Sequence, residues 1–168
     1  MNESAKDTGG YERNLRMLRQ FLDVHMHWRY ALELYSSGCN VVGEVVIDSR
    51  NNQRHHFQFN VLHEGVFFVL AYPFAVPLAR NKDVCELVVR INNRMWDGKF
   101  DYLIENGRVQ FRLFQEFNGS GSKANTVRLN RLVQLPAHML KRFRDAFDAV
   151  IKKEKTPTAA LEGCFPRK

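Results

Sequence analysis

GKFDYLIENGRVQFR, from Gly98 to Arg112, reads as two strands folded about a turn. Asn106-Gly107 is the preferred pair for a two-residue type I′ turn, because both central positions need a positive φ. A register set from that turn places Glu105 opposite Arg108, Ile104 opposite Val109, and Tyr102 opposite Phe111. It continues with Asp101 opposite Arg112 and Phe100 opposite Leu113. Opposite charges then meet on one face and apolar residues on the other, which a slip of one residue would destroy. The chain is therefore built on an antiparallel sheet.

Upstream lies a second candidate hairpin. The runs His56 to Leu62 and Val66 to Tyr72 flank Glu64-Gly65. With those two residues as the loop, Val61 faces Phe68, Phe59 faces Leu70 and Phe57 faces Tyr72, all on one apolar side. Val41 to Asp48 is β-branched and reads as a further strand, between the turn cluster Ser36 to Asn40 and the polar run Ser49 to Gln53. Trp28 to Tyr35 fits a helix or a strand, and its alternation of Tyr30, Leu32 and Leu34 favours the strand. Pro73 and Pro77 are expected to end the sheet segment.

Helical spacing marks the other elements. Leu15, Leu18, Leu22 and His25 form a stripe thickened by Met17 and Phe21. Asn81 is placed to cap a helix with the stripe Val84, Val88, Ile91 and Met95, ending near Asp97-Gly98. Ala124 to Val133 is weakly helical. Pro136 then suits the first turn of a closing helix that buries Met139, Leu140, Phe143, Phe147, Val150 and Ile151. Residues 1–10 and 154–168 read as flexible tails around a single α+β domain spanning 11–153. Strands in runs separated by helices, rather than strict alternation, indicate a helix, three or four strands, a helix, a two-stranded hairpin and a closing helix, α-βββ-α-ββ-α if three.

Totals narrow the function classes. The chain has 168 residues, of which 13 are Phe, enough for one domain with an aromatic core. No apolar run approaches the roughly 18 residues of a membrane span, and the polar opening residues do not read as a signal peptide. Cys39, Cys85 and Cys164 are odd in number and widely spaced, so a disulfide scaffold is not expected. A cytoplasmic protein without membrane contact is the expectation. The net charge of +7 is concentrated at one end, with 13 basic and 7 acidic residues after position 100. Such asymmetry permits a polyanion partner without demanding one.

Ala71 to Pro77 (AYPFAVP), Val88 to Met95 (VVRINNRM) and the hairpin stretch itself, followed by an amphipathic closing helix, resemble the YbjN family over Phe67 to Ile151. In that family an Ile/Leu-Asn pair ends a helix and leads into a Gly-x-Phe strand, an acidic/Gly turn and an Arg-bearing strand. Ile91-Asn92, Gly98, Phe100, Gly107 and Arg112 stand at those places as structural positions. The resemblance implies a type III secretion chaperone-like fold and a chaperone-like or regulatory adaptor role, often dimeric, without a general assigned activity; no cofactor is expected. The basic closing helix departs from the family's usual acidity.

Candidate chemistry is sparse. His25, His27, His55, His56 and His63 suggest a metal site, but His55 and His56 point to opposite faces of a strand and no cysteine or carboxylate sits at zinc-ligand spacing. Cys85 falls in the first turn of its helix beside an apolar stripe, which favours a small buried hydrophobe over a nucleophile. Gly119-Ser120-Gly121-Ser122-Lys123 lacks the residue order of a phosphate loop. Two surfaces remain. Leu62, Phe67, Val69, Leu103 and Phe114 lie on the second face of the strands, suited to a protein partner or a second copy of the chain. Lys141, Arg142, Arg144, Lys152 and Lys153 give the closing helix a basic side that nucleic acid could contact, the less favoured alternative. An enzyme has no supporting constellation.

Overall fold

The computed structural model describes residues 9–35, 38–47, 52–117 and 122–165. A helix, α1 (Gly9–Phe21), passes through a π-helical turn at Leu22–Met26 into β1 (Tyr30–Tyr35), β2 (Gly38–Val46), β3 (Arg54–Val61) and β4 (Gly65–Ala75). Next come α2 (Asn81–Asn92), β5 (Lys99–Leu103), β6 (Arg108–Glu116), α3 (Ser122–Ile151) and the short α4 (Pro157–Ala160). All six strands join one antiparallel sheet in the order β1-β2-β3-β4-β6-β5. The fold is α+β, with four strands rather than three before the central helix. Trp28 to Tyr35 supplies the extra one, because the left-handed turn at His27 (φ 52°) stops the helix before it.

Alternation decides which residues are buried. Phe57, Phe59 and Val61 of β3 share a side with Val66, Phe68 and Leu70 of β4 and with Phe111 and Leu113 of β6. The apolar stripes of α1, α2 and α3 pack on that same side in one core. Phe100 sits among Tyr72, Phe111, Phe143 and Phe147, with ring centroids 5.0–6.5 Å away. The contacts with Phe111 and Phe143 are edge-to-face, an arrangement that adds to the burial of large rings. Tyr72 keeps its hydroxyl satisfied by donating to the Leu140 carbonyl at 2.7 Å. Burial drives its pKa well above 10.0.

Both hairpins form, each two residues away from the expected register. In the first, Val61 faces Val66, Phe59 faces Phe68 and Phe57 faces Leu70. The loop is His63-Glu64, closed by Leu62 N–H donating to the Gly65 carbonyl at 2.9 Å. Gly65 belongs to the strand, where a Cβ would stand 2.3 Å from the Gln115 carbonyl. In the second, Phe100 faces Phe111, Tyr102 faces Val109 and Leu103 faces Arg108. Its loop holds four residues, Ile104 to Gly107, with only Gly107 at positive φ (66°). Packing fixes that choice: the Gly107 carbonyl accepts from Val76 N–H at 2.7 Å, and a Cβ on Gly107 would lie 2.6 Å from the Val76 carbonyl.

Five further expectations are corrected. β4 runs on through Pro73, absorbed at a register shift between Ala71 and Ala75 where no ladder N–H is required. Asn81 does not cap α2; its side chain accepts from the Tyr102 hydroxyl, and Arg80 stands at the cap position. Pro136 does not start a helix but lies buried inside the 30-residue α3. Leu132 and Val133 before it, and Leu140 and Phe143 after it, all reach the core, and this packing offsets the roughly 3 kcal/mol of an interior proline. The chain after Lys155, read as a tail, folds back instead. Thr156 caps α4, Ala160 and Leu161 are buried, and Arg142 Nε donates to the Cys164 carbonyl at 2.6 Å. At the other end, α1 already begins at Gly9 and buries Gly10 within the expected tail; residues 1–8 lie outside the described part.

Candidate interaction surface on the open sheet face

Among the described residues no helix packs on the second face of the sheet. Its cross-strand rows mix amides, charges and a few apolar side chains. One row runs Glu33, Asn40, Asn60, Phe67, Phe114; the next runs Ala31, Val42, Gln58, Val69, Arg112, Lys99. Phe67 and Phe114 are directly opposite, with ring centroids 4.7 Å apart, and Phe114 is 38% exposed. Phe67 and Val69 are half-buried by their neighbours on the sheet. Leu62 sits at the β3–β4 turn and Leu103 beside Arg108 at the far end of β5, so the sequence-derived set splits into a central group of three and two flanking residues. A shallow trough of about 340 Å3, lined by Glu33, Val42, His56, Gln58, Val69 and Gln110, crosses the same face.

The Gly98-to-Arg112 motif builds the platform under this face. Asn92 Nδ2 donates to the Phe100 carbonyl at 2.8 Å and its Oδ1 accepts from Phe100 N–H at 2.9 Å, so one side chain imitates a neighbouring strand. Gly98, at φ 65°, lets the chain cross Phe111, whose ring would be 2.4 Å from a Cβ. Arg112 Nε pairs with Asp101 at 2.9 Å diagonally across the open face.

The remaining candidates are scattered. His55 is buried, with Nδ1–H donating to the Ala71 carbonyl at 3.0 Å. His56 emerges on the open face, 3.4 Å from Glu44, while the His25 ring lies tilted beside Phe21, far away in the chain. Among the described residues no three His, Cys, Asp or Glu side chains converge. Cys39 is buried, Cys85 half-buried, and Cys164 sits by the Ala160 carbonyl with its thiol pKa raised, chiefly by burial. Residues 118–121 of the glycine-serine loop lie outside the described part. On α3, Arg142 is spent on the Cys164 carbonyl and the Phe165 ring, and Arg144 on Gln53 and Asp148, whereas Lys141, and Lys152 and Lys153 in the turn just after α3, face solvent.

One exposed residue escaped the sequence reading. Trp96, in the loop between α2 and β5, is 99% exposed. Together with Phe67, Lys99, Arg112 and Phe114 it lines a hollow of about 430 Å3 at the margin of the open face. Only its place in the polar stretch before Gly98 hinted that it would find no core to enter.

These features define an α+β protein whose single antiparallel sheet carries helices on one side and a mixed apolar and polar surface on the other. Residues 39–149 match the YbjN family, described as "Putative bacterial sensory transduction regulator", and the chain belongs to that family. No curated protein and no solved structure matches it. No helix among the described residues is long and apolar enough to cross a membrane.

Proposed function

We propose that the protein is a non-enzymatic regulatory adaptor that binds a partner protein on its open sheet face. The observation that carries this reading is the Phe67–Phe114 pair, placed on a face that no helix among the described residues covers. Apolar groups kept at the surface in contact with one another gain free energy when a partner removes them from water. Val69 extends the pair, Leu62 and Leu103 flank it, and the surrounding amides supply the polar rim usual in such interfaces. The family description as a regulator supports an adaptor role. Three free cysteines suit the reducing cytoplasm, where we place it.

A second copy of the chain is the alternative occupant, and one pair of substitutions tests both. Phe67→Asp and Val69→Asp should leave the fold intact, since each side chain borders solvent, and should abolish capture of partner protein from the native cell extract. Loss of concentration-dependent sedimentation in the same variants would identify the occupant as a second copy. Folded variants that retain every interaction would sink the proposal. The competing polyanion reading keeps only Lys141, Lys152 and Lys153 unengaged. It predicts salt-sensitive heparin retention that disappears on charge reversal at Lys141, Arg142 and Arg144.

A further inference from the structure

We propose that Trp96 is the anchor of the docking surface and that its neighbourhood receives an acidic peptide segment carrying a central apolar residue. This rests on the sheet-face reading above and gives that face the chemistry of its partner. Trp96 makes no hydrogen bond or ring contact among the described residues and is almost wholly in water. A tryptophan has more area to gain by burial than any other side chain, and such residues dominate binding hot spots. The backbone on either side of it is held in place. Met95 N–H donates to the Asn92 carbonyl at 3.2 Å just before it, and Gly98 is wedged against Phe111 just after. A fixed backbone leaves only the side-chain rotamers to order on binding.

Trp96 stands between two hollows. The first, already described, contains the Phe67–Phe114 pair; the second, about 370 Å3, is lined by Arg94, Met95, Leu135, Met139, Arg142 and Phe165. Either accepts an apolar side chain. The charge around them is one-sided. Arg94 and Lys99 have no carboxylate partner among the described residues, Arg142 is held by the Cys164 carbonyl, and Asp97, the one acid in either lining, is paired with Arg131. Arg94 lies 5.2 Å from the Phe165 ring centroid, which orders its guanidinium group before any partner arrives. Cations without a carboxylate partner beside an apolar anchor select carboxylates flanking an apolar residue. A single nucleic-acid strand needs successive flat stacking platforms. Here Phe67 and Phe114 are tilted 41° against each other.

The test is selection of a random peptide library on the immobilised full chain, followed by titration with the synthetic peptide of the most enriched sequence. Enriched sequences should place acids around one aromatic or aliphatic residue. Trp96→Ala should weaken that peptide about thirtyfold. Lys99→Glu should weaken it about fivefold and flatten its salt dependence. Enrichment of peptides without acids, no enrichment at all, or binding indifferent to Trp96→Ala overturns the proposal. So does tighter, Trp96-dependent binding of oligothymidylate. Peptides sensitive to Phe67→Asp and Val69→Asp but not to Trp96→Ala remove the Trp96 anchor and leave the sheet-face reading standing. Indifference to all three substitutions removes both.

Discussion

The two faces of the sheet come from the same strands and the same alternation, yet they hold different kinds of aromatic residue. On the covered face, Phe57, Phe59, Phe68, Phe100 and Phe111 are buried against helices and against one another. On the open face, Phe67 and Phe114 lie against each other, with the Phe114 ring over Gly65 and a hollow lined by Lys99 and Arg112 beside them. The first set holds the fold together. The second is expected to add little to it, and the function proposed above assigns it to a partner instead. Substitutions that separate stability from binding therefore probe the comparison directly.

The largest expected effect is Phe100→Ala. It empties the centre of the aromatic cluster, and a change of this kind costs about 3–5 kcal/mol. Phe114→Ala, which removes the same atoms from the other face, should cost no more than about 1 kcal/mol. Denaturant unfolding of the two variants measures both. Equal losses would mean that the open face is not open in solution. Next in size is Gly98→Ala, which combines a left-handed backbone with a clash against the Phe111 ring. About 2 kcal/mol or more follows from strain and overpacking together.

The sequence carried much of this contrast, and the reason is periodicity. A slip of two residues leaves every side chain on its own face, so the faces of both hairpins were readable even though both registers were displaced. Register depended on what cannot be read locally: the Val76 backbone lying on Gly107, and the Gln115 carbonyl crowding Gly65. Pro136 misled for a related reason. Its local signal is a helix start, but Leu132 and Leu140 on either side both find the core. The segment after Lys155 looked like a tail because Arg142 and the aromatic contacts of Phe165 lie far from it in sequence. Trp96 was missed because an aromatic residue ordinarily signals a core; its exposure is a property of the assembled surface.

His55 and His56 set the two faces against each other at adjacent positions. The His55 pKa is lowered from 6.5, first by burial and further by Arg144, against the opposing bond to the Ala71 carbonyl. The folded state therefore favours the neutral ring. Its contribution is whole above 6.5; as pH falls below that value the unfolded chain takes up a proton that the folded chain resists, and stability drops. The decline ends once pH passes below the folded value. Unfolding measured between neutral and mildly acidic pH should show this slope in the wild type and a shallower one in His55→Gln. An unchanged slope would remove His55 as its source.

The smallest effect belongs to the Asp101–Arg112 pair. Its 2.9 Å contact has good geometry, but Arg112 is 44% exposed, so water and salt screen it. A double-mutant cycle with Asp101→Ala and Arg112→Ala should return a coupling of about 0–1 kcal/mol, weakening as salt is added. The value reports on the face as much as on the pair. A covered open face would exclude the screening solvent, and the coupling would then resist salt. If a partner docks on the open face as proposed above, repeating the cycle with it bound should show that change, because Arg112 would then be shielded from water.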